Sequence, residues 1–288
     1  MSGDAEDPIR KSDLPTRFAA GVVMIAVAVL AVYLGGWWFR ILVAAAAAIM
    51  LIEWSDIHRS SRVWAYVSAG LLVGALTGGV EYLYPVEGAD WTFDEGTGEL
   101  VAYFDAETLR PNWTAFASLA LLSLVVGLLS RRLAMIGGVL YVAIPSFALL
   151  SLAWVWMGFV LWVFIVTWAT DILAYFGGRS IGGPKLAPRI SPNKTWAGLI
   201  GGILGAGLLG WATAVYFEME PLFHWAGAPM GLIAQAGDLY ESWVKRRAGV
   251  KDSGSILPGH GGVLDRLDGL LAVALATTLL LMAGLWTG

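Results

Sequence analysis

Apolar runs of about 18 residues or more recur along the chain with short polar breaks, a rhythm that predicts membrane-crossing helices. Nine runs can be drawn: Phe18–Gly36, Trp37–Trp54, Val63–Tyr84, Trp113–Ser130, Leu133–Leu150, Leu152–Gly178, Thr195–Phe217, Phe223–Val244 and Val263–Trp286. Almost nothing separates the first from the second, or the fifth from the sixth. The expected fold class is all-α: a polytopic integral membrane protein with about nine transmembrane helices. Residues 1–17 form a polar N-terminal segment. Residues 18–150 hold the first five runs and an outer loop, 85–112, and residues 151–288 hold the last four. No small-residue cleavage site follows the first run, which therefore reads as an uncleaved helix.

Composition agrees, with 58% apolar and 14% charged residues, against about 25% charged in soluble domains. Cysteine is absent, which excludes disulfides, thiolate catalysis and cysteine metal sites. The net charge of -4 matters less than where the charges fall. With the N-terminus placed in the cytoplasm and loops assigned alternately, all but Arg40 and Arg110 of the 18 lysines and arginines lie inside. That bias predicts a cytoplasmic N-terminus and an external C-terminus.

The N-terminal half reads as nearly bland. Its outer loop is acidic, which suits a solvated segment on the translocated side. Ala44–Ala48 and the pairs Gly35-Gly36, Gly78-Gly79 and Gly137-Gly138 suit close helix packing or helix ends. The C-terminal half differs, because acids enter the spans. A carboxylate near mid-bilayer costs about 2.5–3.5 kcal/mol, so such residues persist where they pair, bind an ion or line a wet cavity.

In the eighth run Asp238, Glu241, Ser242 and Lys245 follow i, i+3, i+4, i+7 and share one helical face. Beyond it, Lys251 to Asp268 is a compact string rich in glycine, with Asp252, His260, Gly261 and Gly262 ahead of Asp265, Arg266 and Asp268. It opens into a helix whose N-terminus would favour an anion such as phosphate. Asp265 and Asp268, three apart, suit Mg²⁺, a hard cation that shares oxygen ligands with phosphates. Upstream, Asp171, Tyr175 and Arg179 continue one face of the sixth run. Ser191 or Asn193 could cap the seventh helix, and Lys194 stands at its start, where the helix dipole disfavours a cation unless an anion binds. Carboxylates, Mg²⁺ and lysines or arginines together are equipment for phosphoryl or nucleotidyl transfer.

Three tracts carry a resemblance: Ser242-x-x-Lys245-Arg246, then Lys251-Asp252-x-Gly254, then Pro258-x-His260-Gly261-Gly262-x-x-Asp265-Arg266-x-Asp268. This string resembles the signature of phosphatidate cytidylyltransferases (CDP-diacylglycerol synthases). Asp171-x-x-x-Tyr175, Gly178-Arg179 and the tract Ser191-Pro192-Asn193-Lys194-Thr195-Trp196 resemble other parts of that family. Family members often have Lys and Glu where this chain has Asn193 and Ala197.

The resemblance implies that CTP and phosphatidate become CDP-diacylglycerol and pyrophosphate, with Mg²⁺, in the cytoplasmic membrane and with the site facing the cytoplasm. Asp238, Asp265, Lys245 and Asp268 would be catalytic, and Asp238, Asp265, Glu241 and Asp268 would hold metal. Asp171, Tyr175, Arg179, Ser191, Lys194, Thr195, Ser242, Arg246, Lys251, Asp252, His260, Gly261, Gly262 and Arg266 would bind substrate. Membrane lipids are the expected surroundings, nucleic acid is not an expected partner, and a homodimer is compatible with the pattern. Two rivals remain: a CTP-dependent enzyme acting on an isoprenoid lipid phosphate or a polyprenol, and an ion-coupled transporter using Asp171 and Asp238.

Overall fold

The computed structural model describes residues 13–83, 90–93, 100–103, 113–256 and 261–285. Among these are nine helices: α1 (Asp13–Leu34), α2 (Gly36–Ile57), α3 (Arg62–Leu83), α4 (Trp113–Ser130), α5 (Leu133–Val155), α6 (Met157–Ser180), α7 (Trp196–Tyr216), α8 (Phe223–Arg247) and α9 (Leu264–Leu285). Each coincides with one apolar run, which confirms an all-helical frame. Five are long and apolar enough to cross a membrane: α2, α5, α6, α7 and, over Leu264–Ala283, α9. Ala20–Leu34 and Thr114–Ser130 are shorter apolar helices. The outward surface is itself greasy, with Leu128, Leu133, Leu204 and Leu208 exposed, as a lipid-facing wall requires.

Two short hairpins depart from a purely helical expectation. β1 (Asp90–Phe93) pairs antiparallel with β2 (Leu100–Tyr103) inside the long acidic loop between α3 and α4. The rest of that acidic loop lies outside the described residues. β3 (Lys185–Ala187) pairs antiparallel with β4 (Ser191–Thr195), with Lys185 opposite Thr195 and Ala187 opposite Ser191.

Two near-absent connections have different causes. Between α1 and α2 the chain turns on Gly35 and Gly36, at φ 59° and 47°, a region where side chains are rarely accommodated. Between α5 and α6 the break falls at Trp156, which is extended at φ -169° and ψ 129°. The break therefore comes later than the Leu150/Leu152 boundary expected from the apolar runs. No glycine or proline marks it. The Trp156 ring instead folds over Gly158, where a Cβ would lie 2.5 Å from the indole.

Glycines set how closely the C-terminal helices pack. A Cβ on Gly198, Gly201 or Gly202 of α7 would come within 2.9 to 3.0 Å of backbone carbonyls on α6. One on Gly227 of α8 would lie 2.4 Å from the Ala206 carbonyl of α7. In lipid, where hydrophobic association is weak, such small-residue contact drives helix pairing. The buried Trp162 indole of α6 locks it further by donating to Gly210 O of α7 at 2.9 Å. From α2, Trp54 donates to Ala134 O at 2.8 Å and packs on Gly138 of α5. Ala44 and Ala47 are buried, as the small-residue run suggested. This brings α2, α5, α8 and α9 together around the polar site.

Candidate active site

The i, i+3, i+4, i+7 face of α8 carries two lysine–carboxylate nodes. In the first, the buried Lys245 ammonium lies 2.6 Å from Glu241 Oε2 and 2.5 Å from Asp265 Oδ1 on α9. Lys245 and Glu241, four residues apart on α8, thus form a buried ion pair. In the second, Lys194 of β4 lies 2.6 Å from Asp238 and donates to Gln235 Oε1 at 3.0 Å. Ser242 Oγ donates to Asp238 Oδ1 at 3.3 Å.

The β3–β4 hairpin delivers Lys194. Its base is closed by Trp196 N donating to Pro184 O at 3.1 Å. Arg246 ties the hairpin to α8, donating to Ile190 O at 3.3 Å and to Val250 O at 3.0 Å. Neither Ser191 nor Asn193 caps α7. Thr195, at φ -122° and ψ 159°, does so by accepting from Gly198 N at 3.1 Å. Ser191 and Asn193 lie earlier in β4, and its last residue, Thr195, directly precedes the helix and so becomes the cap. Lys194 consequently turns toward Asp238, and this carboxylate answers the charge conflict expected at the helix start.

The glycine-rich loop is gathered by two carboxylates. Asp265 accepts from Ser253 N at 3.1 and 2.9 Å and from Gly262 N at 2.8 Å, in addition to Lys245. Glu53 of α2, only 2% exposed, accepts from Val263 N at 2.9 Å, Leu264 N at 2.8 Å and Ser253 Oγ at 3.0 Å. At the start of α9 the Val263 and Leu264 N–H groups are taken by the Glu53 carboxylate.

Gly261 sits at φ +86°. A Cβ on Gly262 would lie 2.1 Å from Ser253 Oγ and 2.5 Å from Glu53 Oε2. Gly262→Ala should therefore lower stability by about 1–3 kcal/mol, the usual overpacking range, read as a lowered unfolding midpoint in detergent. An unchanged midpoint would show that the loop relaxes freely.

Asp268 feels the charges of Asp238, Glu241 and Asp171, and Asp171 in turn feels Lys194 and Arg266. Charge influence thus links Asp171, Asp238, Glu241 and Asp268 across α6, α8 and α9. Tyr175 and Arg179 pair with each other at 2.8 Å near the exposed end of α6. Lys251, Asp252 and Arg266 are exposed around the loop. His260 lies outside the described residues. Sequence reasoning passed over Glu53, Gln235, Ser253 and Tyr141. The Tyr141 hydroxyl is buried without a hydrogen-bond partner, close enough to feel Asp268 and Glu241.

The class these features define is an all-helical membrane protein with a buried lysine–carboxylate site. The sequence matches the cytidylyltransferase family over residues 15–283, and the chain belongs to that family. It is similar to the phosphatidate cytidylyltransferase of Brucella abortus biovar 1 (strain 9-941), 52% identical over 127 residues, covering 40% of this chain and 43% of the relative. It is likewise similar to the phosphatidate cytidylyltransferase of Rickettsia bellii (strain RML369-C), 46% identical over 122 residues, covering 38% and 52%. That of Rickettsia felis (strain ATCC VR-1525 / URRWXCal2) is 44% identical over 124 residues, covering 38% and 53%. The chain thus spans about half the length of the relatives it matches.

Proposed function

We propose that this protein transfers the cytidylyl group of CTP to phosphatidate, forming CDP-diacylglycerol and pyrophosphate. The observation that carries the reading is the interlocked pair of lysine–carboxylate nodes, closed over by the signature loop through Asp265. Family membership and the names of the relatives support it. A phosphatidate phosphate oxygen, already anionic at neutral pH, attacks the α-phosphorus of CTP. A new P–O bond forms, the bond from Pα to the bridging oxygen breaks, and its electron pair leaves with pyrophosphate. No nucleophilic side chain is required. Lys194, Lys245, Arg246, Lys251 and Arg266 neutralise the triphosphate and the lipid phosphate.

The donor set fits Mg²⁺. The Lys245 ammonium rests between the Glu241 and Asp265 carboxylates, in a place a hard cation could share. Glu241 Oε1, the oxygen turned away from Lys245, receives no hydrogen bond. Among the described residues no three acidic or histidine side chains converge into a ready-made cage. Mg²⁺ suits such a site, since it binds through one or two carboxylates together with water and substrate phosphates. Asp238 and Asp265, with Glu241 and Asp268, would hold it, and the ion would supply charge neutralisation at the phosphates.

The nine runs, the cytoplasmic N-terminus and the external C-terminus belong to the same proposal. The strongest support is that basic residues crowd one side, which sets the site toward cytoplasmic CTP. Phosphatidate would enter from the bilayer. A cavity of about 310 Å³ between α1, α2, α5 and α9 is lined almost wholly by apolar side chains such as Val27, Leu42, Ile49 and Leu270, and among the described residues Arg266 is its only charged wall residue. An acyl chain suits that cavity, with the headgroup directed toward Arg266.

The test is product analysis with purified protein, CTP, Mg²⁺ and detergent-dispersed phosphatidate. Pyrophosphate and CDP-diacylglycerol should appear one for one and only with both substrates. Faster turnover of an isoprenoid lipid phosphate, or CTP hydrolysis indifferent to lipid, would overturn the assignment.

A further inference from the structure

Glu53 belongs to the half of the chain outside the signature, yet its carboxylate is the most heavily used acceptor at the loop besides Asp265. Oε2 takes Ser253 Oγ and Leu264 N, and Oε1 takes Val263 N. One side chain therefore grips the loop where it begins, at Ser253, and where it re-enters helix, at 263 and 264. Ser253 N is bonded in turn to Asp265, and Asp265 to Lys245. The contacts run unbroken from α2 through the loop to the α8 face.

Glu53 also accounts for two glycines in the signature. A Cβ on Gly254 would lie 2.7 Å from Glu53 Oε1, and one on Gly262 would lie 2.5 Å from Oε2. The loop is built around this carboxylate. The next residue, Trp54, holds the end of α2 in place through its bond to Ala134 O and its packing on Tyr141 at 5.3 Å between centroids. Simple helix capping would need only the bonds at 263 and 264. It leaves the Ser253 bond and the fit around Gly254 unexplained.

We infer that Glu53 is a positioning residue for the transfer reaction: it clamps both ends of the signature loop and so fixes Asp265 opposite Lys245. This rests on the activity proposed above. Glu53→Gln keeps the shape but replaces one acceptor oxygen with an amide group, so either Val263 N–H or the Leu264 N–H and Ser253 hydroxyl lose their acceptor.

The experiment combines hydrogen exchange at amides 253 and 262–264 with steady-state kinetics, on full-length protein in detergent. In Glu53→Gln, exchange at those amides should rise at least about tenfold while α6 and α7 stay protected. kcat should fall about 10- to 100-fold, the range for residues that orient primary ligands, with KM for CTP changed less than about threefold. Ser253→Ala removes one of the three bonds, keeps the charge, and should give a smaller fall in kcat with the same KM pattern. It carries the test if Glu53→Gln does not fold. Unchanged exchange in Glu53→Gln, or raised exchange with unchanged kcat, overturns the inference. A wild-type protein that makes no CDP-diacylglycerol defeats the functional reading instead, and the exchange arm still decides whether Glu53 holds the loop.

Discussion

Asp265→Asn is expected to reduce CDP-diacylglycerol formation about a thousandfold, equivalent to about 4 kcal/mol of transition-state stabilisation. The size follows from how completely the carboxylate is used. Oδ1 meets the Lys245 ammonium and shares Ser253 N, and Oδ2 takes Ser253 N and Gly262 N. An asparagine must turn its amide hydrogens toward one of those donors, and donor then faces donor. The Lys245 charge also loses one of its two counter-charges. Purified variant and wild type would be compared at saturating CTP and phosphatidate, with size-exclusion profiles confirming a folded protein. Activity within about tenfold of wild type would show that loop closure through Asp265 is not required for transfer.

The helices were legible because the apolar runs are long and most of their ends are polar, and α4 lies where the pattern puts it, at Trp113–Ser130. The shared face of Asp238, Glu241, Ser242 and Lys245 was legible for a similar reason, since helical period alone brings them together. Pairing between elements was not. Nothing local says that Lys194 meets Asp238, because the β3–β4 hairpin that turns it there is only three and five residues long and contains Pro192. Nor could periodicity show that the start of α9 is closed by the protein's own acids. The glycine-rich loop and helix start are features that serve phosphate elsewhere, and only the fold shows that Glu53 reaches Val263 and Leu264 there.

Glu53 is the instructive omission. It stands at the end of a run that is apolar apart from it and Arg40, beside Trp54, in a half of the chain that reads as bland. A lone acid within a membrane span is itself a signal, because its burial cost must be met by a partner. The partners lie about 200 positions away in sequence, beyond the reach of motif or period. Together Glu53 and Asp265 make the loop a strap with two clasps, one on α2 and one on α9. The acidic face of α8 then meets its lysines in a fixed arrangement before any substrate enters, and preorganisation of that kind is what electrostatic catalysis depends on.

Lys245→Met is expected to cost about 3–5 kcal/mol of stability, the penalty for leaving buried charge without its partner. The lysine side chain is about 10% exposed, Glu241 1% and Asp265 8%, so water cannot replace the ammonium. With it gone, two carboxylates face one another across α8 and α9. Each must take up a proton, recruit a cation or push the helices apart. Methionine fills most of the lysine volume, so the loss reflects charge and not a cavity. Denaturant unfolding in detergent would measure it in the absence of nucleotide and divalent ions. Adding Glu241→Gln to Lys245→Met should recover part of the loss, because one of the opposed charges is removed while the shape is kept. If the single variant unfolds within about 1 kcal/mol of wild type, the two carboxylates are not held together by Lys245, and the first node would have to be assigned to another cation.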